Sequence, residues 1–134
     1  MFLRDAKQAE VMLSQQENRL AKGEQPNSLE QAENSLKRHQ DLLTTMDAND
    51  EKIRAVITFG DQLCRDGHYA ANKIFKKTRN IEERREANRE KASIVLEKLK
   101  EAVKLQQFLS DCEELREWIE EKMIRAQDET YRFI

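Results

Sequence analysis

A chain of 134 residues can build one domain with a real core, but three glycines and one proline are too few turn formers for a β sandwich or barrel. Charged residues make up 37% and aromatics 6%, the balance of a long-helix protein rather than of a base-stacking nucleic-acid binder. A formal charge of −2 excludes bulk basicity, and no apolar run is long enough to cross a membrane.

The first helix opens at Phe2. Alternating steps of three and four place Phe2, Asp5, Ala9, Met12, Gln16 and Leu20 on one seam, with Leu13 flanking it. Gly23 and Pro26, within the turn 22–28, end this helix. Ser28 followed by Gln31 fits a capping box, so a second helix starts there. Its seam runs Leu29, Ala32, Leu36, His39, Leu43, Met46, Asp50, Ile53, Ile57, Gly60 and Cys64. Such a sustained seven-residue repeat implies left-handed coiled packing on other helices. Gly60 lies inside this pattern, and the helix is expected to continue through it at a cost of about 1 kcal/mol. The second turn is Arg65-Asp66-Gly67-His68.

No Gly or Pro follows Gly67, so a third helix can run to the end of the chain. Its seam is Ile74, Thr78, Ile81, Arg85, Asn88, Ala92, Val95 and Leu99, with a conspicuously polar middle. Two short turns make the helices antiparallel neighbours. The fold expected is therefore all-α, a left-handed antiparallel three-helix bundle. Residues 29–66 hold five basic and eight acidic side chains, whereas residues 67–104 hold eleven basic and six acidic. An acidic second helix beside a basic third suits flanking ion pairs.

The chain also repeats itself. Phe2-Leu3-Arg4-Asp5, followed by Met12-Leu13, returns as Phe108-Leu109-Ser110-Asp111, followed by Trp118-Ile119, at a constant offset of 106 residues. Residues 1–107 then form one complete unit. Residues 108–134 form the first helix of a following, truncated unit, continuous with the last helix of the first.

A three-helix repeat of this period, opening with Phe-Leu-x-Asp and a later Trp-Ile, resembles the spectrin repeat. The segment from Leu36 to Leu42 resembles that family's mid-second-helix sequence, and the segment from Leu63 to His68 its second turn. The wording from Phe2 to Glu10, from Thr44 to Asn49 and from Asp111 to Leu115 is similar to a middle repeat of the β-type chains. Met12 and Arg85 stand where the family usually carries tryptophan, and Ala70 where it often has an Asp N-cap. These departures predict a less stable unit than is typical. The resemblance implies a cytoskeletal structural protein of the membrane cortex, acting as an elastic spacer. It also implies lateral antiparallel pairing with an α-spectrin-like chain. For a whole protein it implies actin, ankyrin and membrane contacts, none of which can be placed on these residues.

No catalytic motif is present, and no enzyme, cofactor or metal is expected. The carboxylates of Glu82, Glu86 and Glu90 share a solvated face. His39 reads as a hydrogen-bonded core histidine. Cys64 and His68 are interrupted by Gly67 and find no further ligands. Cys64 and Cys112 read as core thiols in a reducing, cytoplasmic setting, and charges from Arg4 and Asp5 leave no signal peptide. The basic stretch Lys73, Lys76, Lys77, Arg79, Arg84, Arg85 and Arg89 is diluted by glutamates and reads as one charged bundle face. The alternative is a module that docks a protein or acidic lipid on such a face.

The expected core is Phe2, Met12, Leu36, Leu43, Ile53, Ile57, Ile74, Ile81 and Leu99. Val103, Leu105 and Phe108 form the expected inter-repeat linker. Phe108, Leu115, Trp118 and Ile119 form an apolar stripe that predicts self-association, hence a homodimer of this chain.

Overall fold

Three helices account for most of the chain: α1 (Phe2–Ala21), α2 (Leu29–Arg65) and α3 (Ala71–Arg132). The computed structural model describes residues 1–23 and 25–132. Glu24 of the first turn and the last two residues of the segment 108–134 lie outside the described residues.

Local chemistry explains each boundary. Ser28 is extended, and its hydroxyl accepts the Gln31 N–H at 3.2 Å, satisfying one of the free donors that open α2. The Gln31 side chain returns the bond one residue further out, its Oε1 accepting the Asn27 N–H. At the other end, Gly67 N–H donates to the Cys64 carbonyl and His68 N–H to the Leu63 carbonyl. This Schellman closure needs a left-handed residue, and Gly67 supplies it at φ 71°. Ala70, just before α3, has no side-chain acceptor; the His68 ring Nδ1 instead accepts the Ala70 N–H at 3.2 Å.

Cross-helix contacts set the topology. Phe2 packs edge-on against Phe59, and the Cys64 thiol reaches the Ala71 carbonyl. Asp50 meets Arg85, and His39 meets the Ala92 carbonyl, so α2 runs antiparallel to both neighbours. Glu10 meets Lys77 and Glu17 meets Arg84, so α1 and α3 run parallel. The result is an up-down-up three-helix bundle.

The core is rotated slightly from the seams expected from periodicity. Phe2, Ile53, Ile74 and Ile81 are buried, whereas Met12, Leu36, Leu43, Ile57 and Leu99 are half-buried. In α1 the fully buried side chain is Leu13, with Met12 packed at its edge. Ser35, Leu42 and Val56 are buried one residue before the expected Leu36, Leu43 and Ile57. The cause is geometric: each helix packs on both others, so its apolar face spans two adjacent stripes rather than one.

Gly60 sits where α2 crosses Phe2 and Thr78. A Cβ there would lie 2.1 Å from Thr78 Oγ1 and 2.9 Å from a Phe2 ring carbon. Close approach, not turn formation, explains this glycine. Gly60→Ala is therefore expected to destabilise the chain by about 1–3 kcal/mol through overpacking. An open helical site would instead gain about 1 kcal/mol. Urea denaturation measures the difference, and a variant as stable as the parent would contradict the packing. Thr78→Ala in the same chain should recover much of the loss. The atom it removes, Thr78 Oγ1, is the nearest one to the added methyl and also a buried hydroxyl with no hydrogen-bond partner among the described residues.

Candidate functional site

Polar residues of α3 that interrupt its apolar pattern turn inward, and Asn88, unlike Thr78, finds hydrogen-bond partners there. Thr78 and Asn88 are buried, as are Gln16 and His39. Asn88 Nδ2 donates to the Leu13 carbonyl at 3.3 Å and to Gln16 Oε1 at 3.2 Å. His39 Nε2 lies 2.8 Å from the Ala92 carbonyl, which makes this nitrogen the protonated donor. Buried polar groups lose water and must find partners or cost free energy. Their fixed directions define one register between helices that pure hydrophobic contact would leave loose.

Arg85 stands where the family that the sequence resembles usually carries tryptophan. Its guanidinium forms a two-pronged bond to Asp50, Nε to Oδ1 at 2.6 Å and Nη2 to Oδ2 at 3.1 Å. Arg89 adds a second cation at 3.4 Å. Both side chains of the Asp50–Arg85 pair are less than one-fifth exposed. The Arg85 hydrogen bonds hold the Asp50 carboxyl below its ordinary pKa, against the opposing effect of burial. A buried-edge ion pair thus occupies the place of an apolar contact.

The opposite flank carries a second row. Glu10 pairs with Lys77 at 3.1 Å. Seven residues further along both helices, Glu17 pairs with Arg84 at 2.6 Å, and Arg84 also reaches the Ser14 hydroxyl. The Arg84 bonds likewise lower the Glu17 pKa. From sequence alone the flanking charge is expected on α2 against α3. Among the described residues two of the interhelical pairs join α1 to α3, and α2 contributes Asp50. The missed signal was the common spacing of Glu10 with Glu17 and of Lys77 with Arg84, one heptad each.

Beyond the bundle α3 does not stop. Val103 is half-buried, Leu105 is exposed, and Gln106 Nε2 donates to the Pro26 carbonyl of the first turn at 3.4 Å. From Phe108 onward the helix projects alone. Phe108, Leu115, Trp118, Ile119 and Met123 are 44–64% exposed. Cys112 is exposed as well, not a core thiol, because no second or third helix covers this stretch; Cys64 is half-buried. The six residues buried on α1 (Phe2, Ala6, Ala9, Leu13, Gln16 and Leu20) correspond at the 106-residue offset to Phe108, Cys112, Leu115, Ile119, Lys122 and Ala126. The projecting stripe is thus the same face of the same kind of helix.

At the far end of the bundle, the starts of α1 and α3 and the end of α2 leave an open cleft of about 810 Å³. Leu3, Phe59, Leu63 and Ile74 line it, Tyr69 stands at its mouth, and Lys73 and Lys76 edge it. Of the basic stretch, Lys77, Arg84, Arg85 and Arg89 are held in interhelical pairs, and Arg79 pairs with Glu82 on its own helix. Among the described residues no three His, Cys, Asp or Glu side chains converge on a metal-sized space, and no helix is long and apolar enough to cross a membrane.

The spectrin repeat family model matches residues 1–101. The chain belongs to the spectrin repeat family. Over 132 residues it is 53% identical to the spectrin beta chain of Drosophila melanogaster. It is 41% identical over 130 residues to the erythrocytic spectrin beta chain of Mus musculus. Identity to the non-erythrocytic spectrin beta chain 4 of Homo sapiens is 37%, also over 130 residues. These alignments cover 97–98% of the chain but only 5–6% of each relative. The matched repeat coincides with the bundle, and the alignments to whole beta chains continue along the projecting helix. A spectrin repeat of this kind is a structural, cytoskeletal element.

Proposed function

We propose that this spectrin repeat is an elastic spacer within a longer beta-spectrin-like chain, and that its third helix is the mechanical link to the following unit. The observation that carries the reading is the unbroken course of α3 from Ala71 to Arg132, straight through the end of the bundle. Residues 1–107 act as the complete unit, and residues 108–134 as the first helix of the next. A helix costs little to extend but resists bending, so Val103, Leu105 and Phe108 set the tilt and twist between consecutive units. Length under load comes from opening of whole bundles. In the full-length protein such units would pair laterally with an alpha-spectrin-like chain at the membrane cortex, with actin, ankyrin and membrane contacts elsewhere in that protein.

The test is a distance. Spin labels at exposed Lys91 and Glu117, with Cys64 and Cys112 replaced by Ser, are 26 residues apart on α3. A continuous helix places their backbones about 40 Å apart. A narrow distribution centred there is the expected result. Lys104→Pro, which removes one helical hydrogen bond and clashes with the preceding turn, should broaden and shorten it. A broad distribution in the unsubstituted helix would rule out a stiff link.

A further inference from the structure

Thr78 carries a nucleophile for which the bundle has no structural use. It is 1% exposed, and its hydroxyl is the one buried side-chain polar atom among the described residues with no hydrogen-bond partner. A threonine inside a helix can satisfy itself on the carbonyl four residues back, as Thr44 does on Gln40 and Thr45 on Asp41. Thr78 makes no such bond. Its Oγ1 faces the Gly60 backbone of α2 instead, 2.1 Å from where a Cβ would stand. Burying an unpaired hydroxyl costs free energy that a valine of nearly the same shape would not.

The residues beside Thr78 are a second observation. Lys73, Lys76 and Lys77 precede it, and Arg79 follows it. In the folded chain this basic group is dispersed. Lys77 is held by Glu10, Arg79 by Glu82 and over the Phe75 ring, and Thr78 lies beneath them in the core. In an opened chain the same residues become a short cationic segment around one hydroxyl. A protein kinase with an acidic substrate groove selects such a segment by charge, and binds it extended rather than helical.

We infer that Thr78 is a phosphorylation site that only an opened bundle presents. In the step, Thr78 Oγ1 attacks the γ-phosphorus of a nucleoside triphosphate held by the kinase. The bond from that phosphorus to the bridging oxygen breaks, the nucleoside diphosphate leaves, and the hydroxyl proton passes to the kinase's carboxylate base. The product carries about −1.5 to −2 charges at neutral pH. It cannot return to a space shared with the Gly60 backbone and the Phe2 ring, because a dianion there would lose its water without gaining a partner. The modification therefore holds the bundle open until a phosphatase removes it, and turns a transient opening into a lasting gain in length. It rests on the spacer reading only in that whole bundles open.

The test incubates the whole 134-residue chain, and its Leu13→Ala variant, with ATP and the catalytic fragment of protein kinase C. Phosphosite mass spectrometry follows Thr78 with time. Leu13 is on another helix, far in sequence from the basic segment, so the two chains differ in how often they open and not in what the kinase reads. Phosphate is expected at Thr78 in both, on the order of a hundredfold faster in the variant, since access follows the open fraction. The purified phosphorylated chain should lose helical circular dichroism at temperatures where the unmodified chain is folded, and regain it after phosphatase treatment. Thr78→Val should be at least as stable to urea as the parent. No phosphate at Thr78 in the variant overturns the proposal, and equal rates in the two chains overturn the gating. A phosphorylated chain that keeps its helicity overturns the locking. A Thr78→Val chain clearly weaker than the parent would give the hydroxyl a structural task and remove the premise. Thermal opening takes the place of load in this experiment, and no outcome depends on the stiffness of the link near residue 104. The spacer reading and this one can therefore fail separately.

Discussion

Leu13→Ala is expected to destabilise the bundle by about 3–4 kcal/mol, while Met12→Ala beside it costs only about 1 kcal/mol. Leu13 is fully buried in the cluster of Phe2, Ala9, Ile53 and Ile81. Truncating it removes the transfer free energy of three heavy atoms and opens a cavity that a close-packed helix interface cannot collapse to fill. Met12 is half-buried at the edge of the same cluster, where water can refill the space. Small domains have about 5–15 kcal/mol of net stability, so the Leu13 variant should lose between about a fifth and four-fifths of it. Denaturant titration of both variants decides the matter. Equal losses would mean that α1 is rotated toward the Met12 seam, and the buried contacts of Asn88 with the Leu13 carbonyl would then also be wrong.

Asp50→Ala is the second large effect, at about 2–3 kcal/mol. The loss is not the worth of the ion pair itself, because two charges have already lost water to meet. It is the cost of leaving the Arg85 guanidinium at a half-buried site with no carboxylate, with Arg89 nearby as a like charge. Asp50→Asn should cost somewhat less, since an amide oxygen still accepts one Arg85 bond. The pair also fixes a pH dependence. Asp50 is held below its ordinary pKa chiefly by the Arg85 hydrogen bonds. A carboxyl with a depressed folded-state pKa binds fewer protons folded than unfolded. Its contribution is therefore complete above the unfolded value, near pH 4, and is lost as pH falls through the folded value. Glu17 acts in the same direction but is more exposed, so solvent screens much of its effect. Stability measured from pH 6 down to pH 2 should fall steeply below about pH 4 in the parent chain, and less steeply in Asp50→Asn. Parallel curves would show that Asp50 does not carry the acid sensitivity.

The same pair answers what replaces two absent aromatics. From sequence alone a weaker unit is expected, because Met12 and Arg85 stand at positions where the family usually carries tryptophan. The structure places a matched charge there instead, and Leu13 supplies the apolar contact from one residue away. A polar residue on a helical seam looks like a defect until its partner on another helix is known.

Much of this protein was legible in one dimension. Helix number and limits follow from chemistry that acts over four or five residues: Ser28 and Gln31 cap α2, Gly67 closes it, and nothing interrupts α3. The internal period of 106 residues aligns the sequence of the projecting helix with that of α1. The seven-residue repeats located each apolar face to within one residue. Only the tertiary structure could settle the rest. Periodicity defines a face but not its centre, because the centre depends on which two neighbours a helix must touch at once; hence Leu13 rather than Met12 lies deepest. The need for Gly60 is set by Phe2 and Thr78, which are distant in sequence. The partners of Asp50, Glu10, Glu17, His39 and Asn88 are chosen by which turn of one helix lies beside which turn of another. That register is a sum of many contacts between residues 35 to 75 positions apart, and no local rule contains it.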